Sequence, residues 1–249
     1  MDNLFLSSAE VTERSRQIGI KKANNKARTT RSLAFMAGMF IALGGITNTV
    51  ANIVLSPGIG PFLGAFMFAL GLMLVLVAGG ELFTGNILLY GAYLSKDISL
   101  KQLATNWVRV YLWNFIGALC FSAVTHLTKL NPAIVESITA ASAGKLELTI
   151  LQCLAGGFLC NILVCLGVWV SFSANDGASK FVLMAMPIIA FILLKYEHSV
   201  ANMFYFSFTA IESGIDFVGV LKNMIPVTVG NILGGMFISF IYHHAYKNN

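Results

Sequence analysis

Apolar residues run along the chain in six long blocks, roughly 33–55, 60–94, 105–127, 149–173, 181–210 and 218–242, separated by short polar stretches. Each block supplies the ~20 apolar residues with which a helix crosses a ~30 Å hydrocarbon core. The pattern therefore predicts an all-α membrane protein with six transmembrane helices. The second and fifth blocks are too long, and too polar at one point, to be single straight helices. Glu81-Leu82-Phe83-Thr84-Gly85-Asn86 interrupts the second and Glu197-His198-Ser199-Val200-Ala201-Asn202 the fifth.

Composition agrees with the pattern. Hydrophobic residues make up 57% of the chain and charged ones 11%, with a mean hydropathy of +0.76. Soluble domains carry about 25% charged residues. Membrane lipid is the expected surrounding, and no nucleic-acid partner is expected. The four cysteines (Cys120, Cys153, Cys160 and Cys165) all fall in apolar blocks and lack CxxC spacing. They read as small buried hydrophobes, with no disulfide framework, metal site or cofactor expected. Residues 1–32 are too basic and lack the apolar core of a cleavable signal peptide.

Charge sets the expected orientation. Twelve of the sixteen Lys and Arg residues, from Arg14 through Lys180 to Lys247, fall on one side of such a six-span layout, and only Lys129, Lys145 and Lys222 on the other. Positive loops stay in the cytoplasm, so a multi-pass protein of the cytoplasmic (inner) membrane with both termini inside is expected. The chain divides into a cytoplasmic amphipathic segment at 1–32, a channel domain at 33–243 and a tail at 244–249. In the first of these, Ser7-Ser8-Ala9-Glu10 has the form of a capping box. The basic run that follows, with Val11, Ile18 and Ile20, predicts a surface helix that anchors to anionic lipid or acts in gating.

The two halves repeat. Both interruptions read Glu-x-x-x-x-Asn, Glu81 to Asn86 and Glu197 to Asn202. Downstream, Asn114-Phe115-Ile116-Gly117 matches Asn231-Ile232-Leu233-Gly234, at 33 and 34 residues from the glutamates. Upstream, Ala37-Gly38-Met39-Phe40 pairs with Ala155-Gly156-Gly157-Phe158. Three spans per half is an odd number, so the second half starts from the opposite side: a 3+3 inverted repeat with broken second and fifth helices. Unpaired backbone in hydrocarbon is costly unless protein or a water-filled cavity surrounds it. Two facing breaks therefore point to a solute pathway, with Asn86 and Asn202 as scaffold. Glu81 and Glu197 are expected to accept hydrogen bonds from backbone N–H groups of the breaks.

Gly79-Gly80-Glu81-Leu82-Phe83-Thr84-Gly85-Asn86 and Tyr196-Glu197-His198-Ser199-Val200-Ala201-Asn202-Met203 closely resemble the two signature loops of the formate/nitrite transporter family. Asn161, Val164-Cys165 and Trp169 resemble its fourth span. The resemblance implies an aquaporin-like homopentamer with one pore per protomer, conducting small monovalent anions or their conjugate acids. It places His198 at the pore centre near Thr84 and Asn202, and Phe68, Leu72, Leu82 and Phe191 at the flanking apolar constrictions. It puts Lys145 at an external vestibule, with Asn161 nearby, and Lys22 at the cytoplasmic one.

The residues themselves support this chemistry. His198 is the one histidine inside a span, where ionisable groups mark ion pathways or proton relays, and its reference pKa of about 6.5 allows protonation near neutrality. Apolar rings exclude a charged anion. The expected mechanism has Lys145 and Lys22 concentrating the anion, which is neutralised in the dry pore with His198 donating or polarising a proton. Lys195 departs from the family, which more often carries small residues such as Ser-Gly there. It would either share a helical surface with His198, opposing a proton on it, or pair with a carboxylate or snorkel to a vestibule. Formate is the favoured solute, with nitrite and hydrosulfide as alternatives. A neutral-solute channel lacks its paired Asn-Pro-Ala loops here. An intramembrane enzyme lacks His-Glu-x-x-His, Gly-x-Ser-x-Gly and paired intramembrane aspartates, so no enzymatic activity is expected.

Overall fold

The structure, a computed structural model, describes residues 5–55 and 58–246. Residues 1–4 of the N-terminal segment and 247–249 of the tail, including Lys247, lie outside the described residues. Among the described residues eleven α-helices follow in chain order: α1 Ser8–Ala23, α2 Ala27–Val54, α3 Gly60–Leu74, α4 Phe83–Asn86, α5 Tyr90–Leu94, α6 Leu100–Leu127, α7 Pro132–Leu146, α8 Ile150–Ser171, α9 Gly177–Leu193, α10 Ser199–Ser213 and α11 Phe217–Tyr246. A π-turn at Val75–Gly79 prolongs α3, and a 3₁₀ turn at Ile87–Leu89 joins α4 to α5. No β-strand occurs among the described residues, only one isolated bridge between Phe5 and Ala174.

Among the described residues five helices are long and apolar enough to cross a membrane: α2, α3 with its π-turn, α6, α8 and α11. The remaining apolar block is divided between α9 and α10, with Leu194–His198 non-helical between them. The outer faces are apolar: Val108, Leu112, Phe115 and Leu119 on α6 and Val229, Leu233 and Phe237 on α11 are exposed at near-helical spacing. Stripes of this kind are unfavourable in water and suited to lipid or a neighbouring subunit. This is a multi-pass membrane protein.

Helix starts follow local chemistry. Ser99 with Gln102 and Thr149 with Gln152 close capping boxes on α6 and α8, and Asp176 caps α9 through the Ser179 N–H at 2.8 Å. Helix α7 was not foreseen. Its start is written in Asn131-Pro132, a capping residue followed by proline at the first helical position, but its 15 residues are too short to register as a span.

Helix α1 forms with the foreseen Ser7–Glu10 capping box. It buries Val11, Ser15 and Gly19 against protein. Arg16 reaches Asp97 at 2.5 Å, Arg14 donates to the Phe172 carbonyl at 2.7 Å, and Gly19 packs closely on Leu89 and Ala92. The Ser7 hydroxyl and N–H hold the Glu10 carboxyl below its ordinary range. Its contribution is therefore present above the ordinary glutamate pKa and lost as pH falls through the lowered value. Ser7→Ala should cost about 1 kcal/mol, read as roughly fivefold faster amide exchange in the first turn of α1.

The two halves are built alike. Helix α2 packs on α6 and α8 on α11 through glycines that admit no Cβ: Gly117 meets the Phe35 carbonyl, and Gly234 the Phe158 carbonyl. These contacts correct the upstream pairing taken from sequence, because the counterpart of Phe158 is Phe35 and not Phe40. Small residues recur along both helices, so similarity alone slides by five positions where packing does not.

Candidate functional site

The site is built where the long helices stop. After α3 the chain is extended at Gly80 and Leu82, and α4 restarts at Phe83. After α9 it is non-helical through His198, and α10 restarts at Ser199. Two residues before each glutamate the backbone takes a positive φ, +87° at Gly79 and +54° at Lys195. Glycine enters that region freely, whereas a residue with a Cβ is strained there.

Asparagines, not glutamates, catch the loose backbone. Asn114 Oδ1 accepts the Phe83 N–H at 2.9 Å, and its Nδ2 donates to the carbonyls of Glu81 at 2.9 Å and Ala34 at 2.7 Å. Asn231 repeats this in the other half, accepting from Ser199 N–H at 2.9 Å and donating to Glu197 at 2.9 Å and Gly157 at 2.8 Å. The expected role of Glu81 and Glu197 is corrected accordingly. Glu81 accepts from Asn86 Nδ2 at 2.5 Å and Glu197 from Asn202 Nδ2 at 2.7 Å. Each also pairs with a lysine, Glu81 with Lys22 at 3.4 Å and Glu197 with Lys145 at 2.8 Å. A buried carboxylate needs a charged partner more than it needs an amide.

Two residues of this framework were missed. Asn106 and Asn223 each accept from the scaffold asparagine, Asn86 and Asn202 respectively, at 3.0 Å. Asn223 also donates to the Lys145 carbonyl at 2.9 Å, and Asn106 to the Lys22 carbonyl at 3.5 Å. The signal was present, since each lies eight positions before Asn114 or Asn231.

Two cavities flank the breaks. One, of about 300 Å³, is lined by Lys21, Lys22, Leu33, Leu72, Glu81 and Leu82 among others. The second, of about 650 Å³, is lined among others by Asn48, Phe68, Lys145, Phe191, Lys195 and His198. Leu33 and Asn48 are fifteen residues apart on α2, about 22 Å at 1.5 Å per residue, so the cavities open at opposite ends of the molecule. Leu72 and Leu82 close the first; Phe68 and Phe191, with ring centroids 5.7 Å apart, close the second. All four are buried.

His198, in the lining of the second cavity, makes a polar contact with Thr84. Thr84 Oγ1 and His198 Nε2 are 2.8 Å apart, and both residues are buried. His198 is the N-cap of α10, its Nδ1 accepting the Ala201 N–H at 3.0 Å. An imidazole that accepts at Nδ1 and is neutral carries its proton on Nε2, so His198 donates to Thr84. The threonine's own hydroxyl hydrogen is left to point elsewhere. The His198 ring stacks on Phe191 at 5.8 Å.

Other expected placements change. Asn202 meets His198 only through its own backbone N–H, which donates to the His198 carbonyl at 2.9 Å. Asn161 does not accompany Lys145: it lines neither cavity, and its Nδ2 donates to the carbonyls of Thr84 at 3.2 Å and Asn231 at 2.6 Å. It holds Thr84 from behind. Lys22 and Lys145 do line the two cavities, but as members of ion pairs rather than free charges. Lys195 lies beyond the end of α9, exposed at the second cavity, and shares no helical surface with His198.

With this geometry in hand, known proteins supply a frame. The family model for the formate/nitrite transporter matches residues 9–245. The chain belongs to the formate/nitrite transporter family. Among its relatives, the formate channel FocA of Escherichia coli is 32% identical over 94% of this chain and 92% of its own length. The formate channel BtFdhC of Bacillus thuringiensis is 32% identical over 98% and 96%. A solved structure described as a pentameric formate channel with formate bound superposes with a TM-score of 0.80 at 34% identity, covering 89% of this chain and 98% of that one. An FNT family ion channel superposes with a TM-score of 0.87 at 26% identity, over 95% and 98%. Like these relatives the chain is a channel or transporter, not an enzyme.

Proposed function

We propose that this protein is a homopentameric channel of the cytoplasmic membrane for small monovalent anions, formate foremost, in which each protomer crosses the membrane six times with both termini inside. The pathway runs from one lysine-bearing cavity to the other past the Thr84–His198 contact. That contact, a buried polar pair beside the lining of the second cavity, carries the reading. The named formate channels among the relatives favour formate over nitrite and hydrosulfide.

The energetics select the species that passes. An idealised carboxylate-sized ion loses on the order of 20 kcal/mol on entering a medium of low dielectric. A neutral acid brings only an uncompensated hydroxyl and carbonyl, roughly 2–7 kcal/mol each, and Thr84 meets one of them. The anion takes a proton at the mouth, passes Thr84 as the acid, and gives the proton up in the far cavity. His198 keeps the threonine hydroxyl turned toward the solute by donating to its oxygen. The ring could itself supply a proton only after Nδ1 gained one, and that would break its bond from Ala201 N–H. Its part is to orient and polarise.

Proteoliposomes loaded separately against formate, nitrite and hydrosulfide gradients test this. Formate should equilibrate far faster than in empty vesicles and be slowed by the other two in competition. Formate flux equal to that of empty vesicles would overturn the proposal.

A further inference from the structure

Lys145 sits in the second cavity with Glu197 at 2.8 Å, so the pair presents no net charge to an approaching ion. The lysine, glutamate and histidine residues lining that cavity are Lys145, Glu197, Lys195 and the central His198. The histidine is neutral in its hydrogen-bonded form. The excess positive charge therefore resides on Lys195. Its side chain is exposed, no carboxylate among the described residues pairs with it, and its backbone lies at φ +54°. The corresponding position in the first half is Gly79 at φ +87°. A lysine there is strained where glycine would not be; its backbone N–H donates to the Ile192 carbonyl at 3.0 Å, but among the described residues its side chain makes no hydrogen bond or ion pair that offsets the strain. The first cavity has the same charge arithmetic by a different route: Lys22 is paired with Glu81, and Lys21 remains exposed beside them.

We infer that Lys195 is the anion-attracting charge of the second vestibule, a specificity-determining residue that raises the local anion concentration before the ion reaches Phe68 and Phe191. The inference rests on the channel reading above and adds to it a residue, a side and an ionic-strength dependence. Lys145 has a different task here: its pairing neutralises the buried Glu197 carboxylate and stabilises the break. A single charge about 10 Å from an ion in water changes its local concentration by about twofold. That effect reaches the ion at about 0.01 M salt, where the screening length is about 30 Å, and is lost at about 1 M, where it is about 3 Å.

The experiment is formate flux into proteoliposomes at those two ionic strengths for wild type, Lys195→Gln, Lys195→Gly and Lys195→Arg. The Gln and Gly variants should each lose about twofold at low salt and match wild type at high salt, while Arg keeps the wild-type salt dependence. The Gly variant, relieved of backbone strain, should melt no lower than wild type, which separates lost charge from lost fold. If wild type conducts and the Gln and Gly variants retain its salt dependence, the inference is overturned and the channel reading stands. If wild-type vesicles behave like empty ones, both fall.

Discussion

Asn231→Leu should leave a protein that no longer holds its second helix break. The substitution keeps the side-chain volume nearly constant but removes an acceptor from the Ser199 N–H and two donations, to the Glu197 and Gly157 carbonyls. All three groups stay buried, at about 1–3 kcal/mol for each one left unsatisfied. That is a large part of the roughly 5–15 kcal/mol that holds a domain together. We expect a melting temperature in detergent lower by roughly 10 °C or more, together with loss of flux. Asn114→Leu should behave alike, because the same three bonds hold the first break. Asn231→Asp keeps the acceptor for Ser199 but not the two donations, and should fall in between. A melting temperature of Asn231→Leu within a degree or two of wild type would contradict this account of the scaffold.

The second large effect is on transport with the fold retained. Thr84→Val is close to isosteric and removes the hydroxyl that meets His198. The passing acid then loses a buried hydrogen bond worth about 1–3 kcal/mol, so formate flux should fall about tenfold, while the His198 Nε2–H left without its acceptor lowers the melting temperature by roughly a few degrees. His198→Phe removes the donor to Thr84 and the cap on Ala201 N–H. Its cap loss costs about 1 kcal/mol, which the ring offsets in part by stacking on Phe191. Flux through this variant should be low but keep the wild-type dependence on pH, because the proton is taken at the mouth and not from the ring. Stopped-flow measurement over several pH values, with melting temperatures recorded in parallel, checks both variants. Wild-type flux through His198→Phe would remove the histidine from the mechanism.

What the sequence conveyed about this molecule follows the length of each signal. Five long apolar helices and the Ser7–Glu10 cap were legible because each is a local pattern. So were the two breaks, where Glu81 and Glu197 are too polar to sit unassisted in an apolar run. The partners of those glutamates were not legible. The asparagines that donate to them lie only five residues on, but the lysines that pair with them are more than fifty residues away, as for Lys22–Glu81 and Lys145–Glu197. The register between α2 and α8 failed for the same reason, since only the carbonyls pressed on Gly117 and Gly234 define it. Lys195 shows the limit from the other side. Spacing offered it two places, beside His198 or in a vestibule; α9 ends at Leu193 and the chain turns through a positive φ at Lys195, which leaves it exposed at the second cavity.

The repeat also turns out to be a frame for an asymmetric site. Leu82 and His198 each cap the helix after a break, but only His198 does so with its side chain. The first half supplies the hydroxyl and the second the imidazole, and the two meet at 2.8 Å.

The central claim is that the solute crosses this contact as a neutral acid. It is tested most directly by imposing a formate gradient on wild-type proteoliposomes that report luminal pH and membrane potential together. Passage as the acid brings one proton in with each formate, so the lumen should acidify and no potential should develop. Formate entry without acidification, accompanied by a potential set by the formate gradient, would show that the bare anion passes and would contradict it.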